Sequence, residues 1–437
     1  MVPDQPDENR SVWRAESAAP QPASALRGRL TTDVAIIGGG FTGVSTAWHL
    51  REANPDLGIA LLEAGVLGQG ASGRNGGQVL NWVNGHEPKT PEEMQRVHTA
   101  TRAGIDLAET LATRFAAPGT FRRRGCLSIY TDPGRAEAAA AHVDELRSAG
   151  IPAEFLPQSR LGIHGAYGAV LDPLAGRLDG FALLQAMRPV LRAGGVALHE
   201  GTRVHRVRTG REIVLETAEG ELRARALVLA TNGYTPALGF FRLGILPLHS
   251  HVLATAPLAA DDWRRIGWGE WDGFTDDLDR IAYASRTPGG RLLLGGGGNA
   301  AYSYRFGGTP VAFAGAELRA TPFMRGVLAR YFPGVANAPI EHRWAGTLGL
   351  TLDRICSMGV RGEHRNVYHA LGYSGHGVAL ALLAGRVLSD LYAGNHEAWR
   401  DQPFYQKRLI PFPPEPLRWL GYQVVTRLTG KSPRRRA

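Results

Sequence analysis

The sequence predicts an α/β protein in which a Rossmann-like domain, assembled from discontinuous segments, carries a second, α+β domain built on an antiparallel sheet. Three observations predict it: the run DVAIIGGGFTGVSTAWHL at residues 33 to 50, a second apolar run at 59 to 62 ending on Glu63, and the scatter of further strand and helix patterns along 437 residues. Residues 33 to 37 form a short β-branched apolar strand. Gly38, Gly40 and Gly43 complete a GxGxxG turn at its end, and Ala47 follows one helical turn later. The first glycine permits the tight turn and the second lets the backbone approach a pyrophosphate. The third lets helix and strand pack closely, which leaves the phosphates at the helix N-terminus. Glu63 stands twenty residues after Gly43, where a carboxylate takes the ribose hydroxyls of a dinucleotide.

The dinucleotide domain is read from three separated stretches, 31–85, 165–240 and 345–395. The second holds an amphipathic helix over 181–193 and strands at 196–199, 202–207, 213–217 and 226–230. The third runs from a strand at 367–370 through the turn GYSGHG into an apolar helix over 378–391. Residues 86–164 and 241–344 form the second, substrate-side domain. There, helical patterns at 91–115 and 133–149 flank a strand at 126–131, and short strands at 252–255, 280–285 and 291–294 between turn glycines suit an antiparallel sheet. Residues 1–30 are an N-terminal extension; residues 396–437 are a C-terminal extension with an amphipathic helix and a basic tail. The turn GGGGNA at 295–300 also fits GxGxxA, but neither a helical period nor an acid-terminated strand follows it, so it is not a second dinucleotide site.

A chain with 44% hydrophobic residues can bury cores for two to three domains. The first thirty residues lack the apolar stretch of a signal peptide, and later apolar runs fall short of a membrane span. Cys126 and Cys356 are the only cysteines; they lack metal-ligand spacing, predict no metal site, and fit reduced residues of a cytoplasmic protein. The net charge of +9 invites an anionic partner. Its arginines are scattered, however, with dense clusters only at Arg122–Arg124 and Arg434–Arg436, which argues for a solvated basic surface and against a nucleic-acid partner.

The segment GQGASGRNGGQ, residues 68 to 78, offers bare glycine amides, Ser72 and the fixed charge of Arg74 to a phosphate, or else is a glycine-rich surface loop. Together with SVW at 11–13, ATNGY at 230–234, RLLLGG at 291–296, GYSGHGV at 372–378 and IPFP at 410–413, it resembles the FAD-dependent oxidoreductases of the D-amino acid oxidase superfamily. Within that superfamily it is most like the gamma-glutamylputrescine oxidoreductase and glycine oxidase group. The resemblance implies that Gly38, Gly40, Phe41, Thr42 and Gly43 surround the FAD pyrophosphate and that Glu63 and Ala64 hold the adenosine ribose. Gly70, Ala71, Ser72, Arg74, Asn75, Gly76, Gly77 and Gln78 would run from the pyrophosphate to the flavin ring. Val204 would contact adenine; Thr231, Asn232 and Gly233 would lie near the ribityl chain; Gly346, Gly372, Tyr373, Ser374, Gly375, His376 and Gly377 would lie beside the isoalloxazine. The helix after Gly377 would aim its positive end at the reduced flavin.

The chemistry so implied is hydride transfer from an amine-bearing carbon to flavin N5, followed by imine hydrolysis, with a small amine or amino acid as substrate and O2 or another acceptor. An alternative in the same superfamily is oxidation of a modified tRNA base. Candidate catalytic groups are His376, Tyr283 and His251, with Trp344 and Tyr373 as substrate contacts; for His376 the other reading is packing at a tight turn. Arg286, beside a Pro-Gly-Gly turn, reads as solvated. Leu293 stands where sarcosine oxidases carry a lysine for oxygen activation, which keeps a dehydrogenase open. Their covalent-flavin cysteine falls near Gly346 rather than at Cys356, so noncovalent FAD is expected. In the C-terminal extension Leu417, Leu420, Val424 and Leu428 share one helical face, expected to dock on the protein's own surface rather than on a membrane.

Overall fold

The structure is a computed structural model that describes residues 10–278, 280–308 and 316–429. The strand Gly28–Ile37, whose last four residues are buried, pairs in parallel with Ile59–Leu62 on one side and Gly220–Leu229 on the other. Ala197–His199 extends this sheet in parallel beyond Ile59–Leu62. On the opposite flank, the first half of Gly220–Leu229 pairs antiparallel with Ile213–Glu216, and its second half pairs in parallel with Val367–Leu371. The carboxyl ends of five parallel strands thus meet along one edge, where ligands of such sheets bind.

The helices Phe41–Ala53, Val378–Tyr392 and Pro91–Phe115 cover one face. Their crossings are close because two side chains are missing: a Cβ on Gly385 would sit 2.2 Å from Ser45 Oγ, and one on Gly104 would sit 2.3 Å from the Ala379 carbonyl oxygen. Ser45 also donates its hydroxyl to the Leu382 carbonyl at 2.6 Å.

The second sheet has nine strands. Leu246–Pro257 lies between Ile340–Leu350 and Arg291–Gly296, both antiparallel to it. From there the order runs through Ala282–Arg286 and Gly273–Asp276 to Cys126–Tyr130, then Gly168–Asp172 and Glu154–Pro157. One pairing, Gly273–Asp276 with Cys126–Tyr130, is parallel.

Several sequence expectations shift. Gly168–Asp172 lies in this second sheet, between Cys126–Tyr130 and Glu154–Pro157, although the dinucleotide domain was drawn to resume at 165. Ile340–Leu350 likewise stays paired with Leu246–Pro257 beyond residue 344. The expected strand 202–207 is reduced to Arg206–Arg208. Before it, the Thr202 amide donates to the Glu63 carbonyl and the Thr202 hydroxyl accepts the Leu26 amide, so its backbone caps a sheet end instead of joining a ladder. After the glycines 295–298 the chain forms only the 3-10 turn Asn299–Ala301 and the short strand Tyr302–Ser303.

The C-terminal helix Leu417–Thr429 docks with the face opposite to the expected one. Trp419 and Tyr422 pack on Leu246, Leu248 and Tyr304, whereas Leu417, Leu420, Val424 and Leu428 are exposed. The aromatic rings fill the gap beside the sheet, and buried Arg418 fixes the helix by donating to the Pro413 and Arg242 carbonyls. The Arg434–Arg436 cluster lies outside the described residues.

One buried ion pair ties the end of the strand Ala197–His199 to the helix Gly180–Ala193. Arg188 donates Nε and Nη2 to the two oxygens of Glu200, each at 2.8 Å, and Glu200 also accepts the Ala23 and Leu67 amides. Burial raises the Glu200 carboxyl, but these hydrogen bonds outweigh it and hold the group below the usual range. Arg188→Met should therefore cost about 3 kcal/mol or more in a urea titration at neutral pH, because a buried carboxylate is left without its partner. The difference between variant and parent should be largest above the ordinary carboxyl range and shrink as pH falls through the depressed folded range, where Glu200 is protonated in both states.

Candidate active site

Between the carboxyl edge of the parallel sheet and the antiparallel sheet lies a cavity of about 1180 Å³, larger than a drug-sized pocket requires. Gly38, Gly40, Phe41 and Thr42 line it at the start of the helix Phe41–Ala53, which has no capping side chain and no acid in its first turn. The GxGxxG glycines have steric causes that can be read off the coordinates. A Cβ on Gly38 (φ +110°) would meet the Ala230 carbonyl oxygen at 2.6 Å, one on Gly40 would meet Ser72 Oγ at 2.8 Å, and one on Gly43 would meet the Gly38 carbonyl oxygen at 1.9 Å. Gly43 thus shapes the site from behind and does not line it.

Glu63 and Ala64 line the same end. Glu63 accepts the Gly39 amide at 2.7 Å and the Gly65 amide at 2.8 Å, one on each carboxylate oxygen, which leaves further lone pairs for hydroxyl donors. Burial pushes its carboxyl up, and the two amides oppose that. Val204 lies nearby with Arg203 and His205, which the sequence reading missed because they sit in the coil before Arg206–Arg208.

Gly70, Ala71, Ser72, Arg74, Asn75, Gly76 and Gln78 continue the lining. Ser72 Oγ accepts the Phe41 amide at 3.0 Å, joining this loop to the helix start. Arg74 lines the cavity, and its guanidinium donates to the Gln69 carbonyl at 2.8 Å and the Ala345 carbonyl at 3.0 Å, bracing the loop against Ile340–Leu350. Gln78 Nε2 donates to the Phe274 and Ala284 carbonyls, so the amide orientation is fixed, and Oε1 is a buried acceptor without a hydrogen-bond partner among the described residues. Gly77 does not line the cavity; it leaves room for Trp13, whose ring carbon a Cβ would meet at 2.8 Å.

Thr231, Asn232, Gly346, Tyr373, Ser374, Gly375, His376 and Gly377 also line the cavity. Asn232 Oδ1 accepts the Gly372 amide at 2.9 Å and so ties two strand ends together. Gly233 and Gly372 stand behind the wall, against Leu348 and Thr351 respectively. Tyr373 Oη is 2.7 Å from Thr42 Oγ1, and burial pushes its phenol up, so it binds the two halves of the cradle and cannot serve as a base near neutrality. The imidazole of His376 lines the cavity in the turn before Val378–Tyr392.

On the antiparallel sheet, Leu248, Ser250 and Val252 face the cavity. Side chains alternate along a strand, so His251 is on the other face, where its Nε2 lies 3.4 Å from Ser303 Oγ; this removes it from the candidate catalytic set. Trp344 shares the cavity-side face opposite Val252, but the loop 68–78 lies over it and its indole donates to the Arg74 carbonyl at 2.9 Å; it is fully buried and lines nothing. Tyr283 does line the cavity, with its ring between Gly76 and Gly295: a Cβ on either would come within 2.6 Å of it. Burial raises the Tyr283 and Tyr302 phenols, which remain protonated donors.

Arg280 was missed as a site residue: the sequence pattern makes it the first residue of a strand over 280–285, whereas the strand starts at Ala282 and Arg280 stands just before it. It lines the cavity and donates Nε to Asn299 Oδ1 at 2.7 Å. Among the described lining residues from 240 to 350 it is the one with a formal charge, and Glu63 is the one acid in the whole lining. Arg286 is exposed, with its guanidinium 4.6 Å from the centre of the Trp263 ring. Neither cysteine lines the cavity, and no group of three potential metal ligands occurs among the described residues.

A helix N-terminus opening on a cavity, a glycine-lined turn and an acid at the next strand end define a dinucleotide-dependent enzyme. Residues 33–391 match the family described as FAD dependent oxidoreductase (DAO), and the chain belongs to that family. Gamma-glutamylputrescine oxidoreductase of Escherichia coli K12 is 28% identical over 426 residues, 93% of this chain and 94% of that protein. D-amino acid dehydrogenase of Cereibacter sphaeroides is 27% identical over 291 residues, 62% of each chain. The crystal structure of glycine oxidase from Geobacillus kaustophilus superposes with a TM-score of 0.73 at 22% identity, covering 87% of this chain and all of that one. The protein is an FAD-dependent oxidoreductase of the class that acts on amines and amino acids. The remaining carboxylate lone pairs of Glu63, the helix start at Gly40 without an acid in its first turn and the buried acceptor of Gln78 all fit that cofactor. Glu63→Ala should weaken FAD retention about ten-fold or more, the loss of charge-assisted hydrogen bonds, read as the ratio of flavin to protein absorbance after gel filtration.

Proposed function

We propose that this protein oxidises the C–N bond of a small amine that also carries a carboxylate, of the gamma-glutamylputrescine-like or glycine and D-amino-acid-like kind. The observation that carries the reading is Arg280: a guanidinium on the substrate side of a cavity otherwise walled there by Leu248, Val252, Ile281, Tyr283 and Tyr302. Such a wall fits the carbon chain of an amine, and the guanidinium fits a carboxylate in a two-pronged contact.

Bound FAD would supply the acceptor for the hydride that leaves the amine-bearing carbon. The chain's own part is positioning and exclusion of water. Arg280 fixes one end of the substrate, the Tyr283 and Tyr302 phenols donate to it, and the imidazole of His376 takes up a proton as the amine is oxidised. We place FAD as noncovalent, since Cys126 and Cys356 are buried away from the cavity, and we place the enzyme in the cytoplasm.

The deciding experiment is anaerobic mixing of the purified protein with gamma-glutamylputrescine, sarcosine, glycine and D-amino acids, and with the carboxylate-free amines putrescine and dimethylamine, followed through the flavin absorbance. Bleaching by a carboxylate-bearing amine is the expected result; bleaching only by amines without a carboxylate would overturn the reading. Fast recovery of colour on admitting air marks an oxidase, and slow recovery a dehydrogenase. Arg280→Leu should raise KM for the responding substrate about 10- to 100-fold, as expected for a lost hydrogen bond between charged groups, with FAD content unchanged.

A further inference from the structure

The helix Leu417–Thr429 concentrates the exposed apolar surface of the molecule. Among the described residues, eleven large hydrophobic side chains are exposed, and five of them are on this helix: Leu417 (59%), Leu420 (47%), Val424 (53%), Val425 (50%) and Leu428 (75%). Phe306, 60% exposed, adjoins them through an edge contact with Trp419, with ring centres 6.3 Å apart. A contiguous patch of this kind on an otherwise ordinary surface marks an interaction site.

The helix is held in a fixed pose. Arg418 donates to the Pro413 and Arg242 carbonyls, Tyr304 Oη bonds Glu415, and Asn299 Nδ2 donates to the Thr426 carbonyl at 2.5 Å. With its inward face occupied by Trp419 and Tyr422, it cannot rotate to bury the leucines. In sequence, Glu415 at the helix start is the last acid: residues 416 to 437 contain no aspartate or glutamate, and Arg427 on the helix is followed by Lys431, Arg434, Arg435 and Arg436.

We propose that this helix lies flat on an anionic phospholipid surface, its leucine and valine face in the acyl boundary and its cations among the headgroups. An aliphatic stripe beside a run of cations is the composition that binds such an interface. The same charge disfavours a second copy of the chain as occupant, because two-fold pairing would bring two cationic flanks together. A nucleic acid would engage the cations and leave the aliphatic stripe in water. The docked helix is also the outer wall of the substrate side: Trp419 and Tyr422 pack in one cluster with Leu248, Leu348, Leu350 and Tyr302, all of which line the cavity. Bound in this way, the enzyme would present its substrate side to the membrane.

The test is vesicle flotation of the full-length holoenzyme with phosphatidylcholine alone and with phosphatidylcholine plus phosphatidylglycerol. The parent protein should float with the anionic vesicles, stay behind with the neutral ones and be partly released by high salt. Combined Leu420→Gln, Val424→Gln and Leu428→Gln should lower the bound fraction about ten-fold or more, with FAD content and melting temperature unchanged. Parent protein that stays behind with both vesicle types overturns the proposal. So does flotation that the triple variant leaves intact, which would give the binding to the tail alone. A parent dimer that the triple variant dissociates would assign the stripe to a second copy, and parent protein that binds tRNA in place of vesicles would assign the cations to nucleic acid.

Discussion

Four successive carbonyls in the loop 68–78 are each taken by a side chain, and these come from three separate parts of the chain; the site depends on that arrangement. Ser11 donates to the Gly73 carbonyl at 2.6 Å, Trp344 to Arg74 at 2.9 Å, Trp13 to Asn75 at 2.8 Å and Ser285 to Gly76 at 2.6 Å. In a planar trans peptide the N–H points opposite to the preceding C=O. Binding the Arg74 and Asn75 carbonyls to indoles therefore turns the Asn75 and Gly76 amides to the other side, where those residues line the cavity. A glycine-rich loop would otherwise spend its conformational freedom on many such orientations. Two of the donors, Trp344 and Ser285, come from strands of the antiparallel sheet, so the cofactor cradle is complete only when both sheets are in place.

The same coupling explains the apolar cluster of Val12, Trp13, Phe181, Val252, Leu293 and Trp344. It joins the N-terminal segment, the helix Gly180–Ala193 and three strands of the second sheet around one loop. Leu293 is fully buried there, so its position makes the wall behind Tyr283 a packing element without charge. Gly76 and Gly295 then set the Tyr283 ring by exclusion, since any larger residue would occupy its place.

Local patterns made the cofactor side legible in the sequence. A strand, a glycine turn, a helix and an acid at the next strand end are close together in the chain, and each residue's role follows from its immediate neighbours. The substrate side depends on choices that one strand cannot reveal. Alternation in 246–257 says that one of His251 and Ser250 faces the cavity, but the choice is made by pairing with Ile340–Leu350 and by the loop lying over it. Trp344 reads as a pocket wall and serves as a clamp for the same reason. Arg280 read as the first residue of a strand, and nothing local showed that the chain leaves it before Ala282–Arg286, on the cavity wall. The C-terminal helix shows the matter from the other direction: its amphipathic pattern is real, but the face that docks is the opposite one, through the rings of Trp419 and Tyr422.

Arg280 and the C-terminal helix belong to one chain of contacts, and this gives the extension a part in substrate choice. Asn299 accepts from Arg280 through Oδ1 and donates to the Thr426 carbonyl through Nδ2, so its amide has a single orientation and holds a long, flexible arginine against a fixed backbone atom. An arginine left unbraced would lose more rotamer freedom on engaging a carboxylate, which weakens selection by charge. The helix that supplies the brace is fixed in turn by Arg418, Trp419 and Tyr422. Sequence change at 417–429 can therefore alter which amines are accepted without touching a residue that lines the cavity.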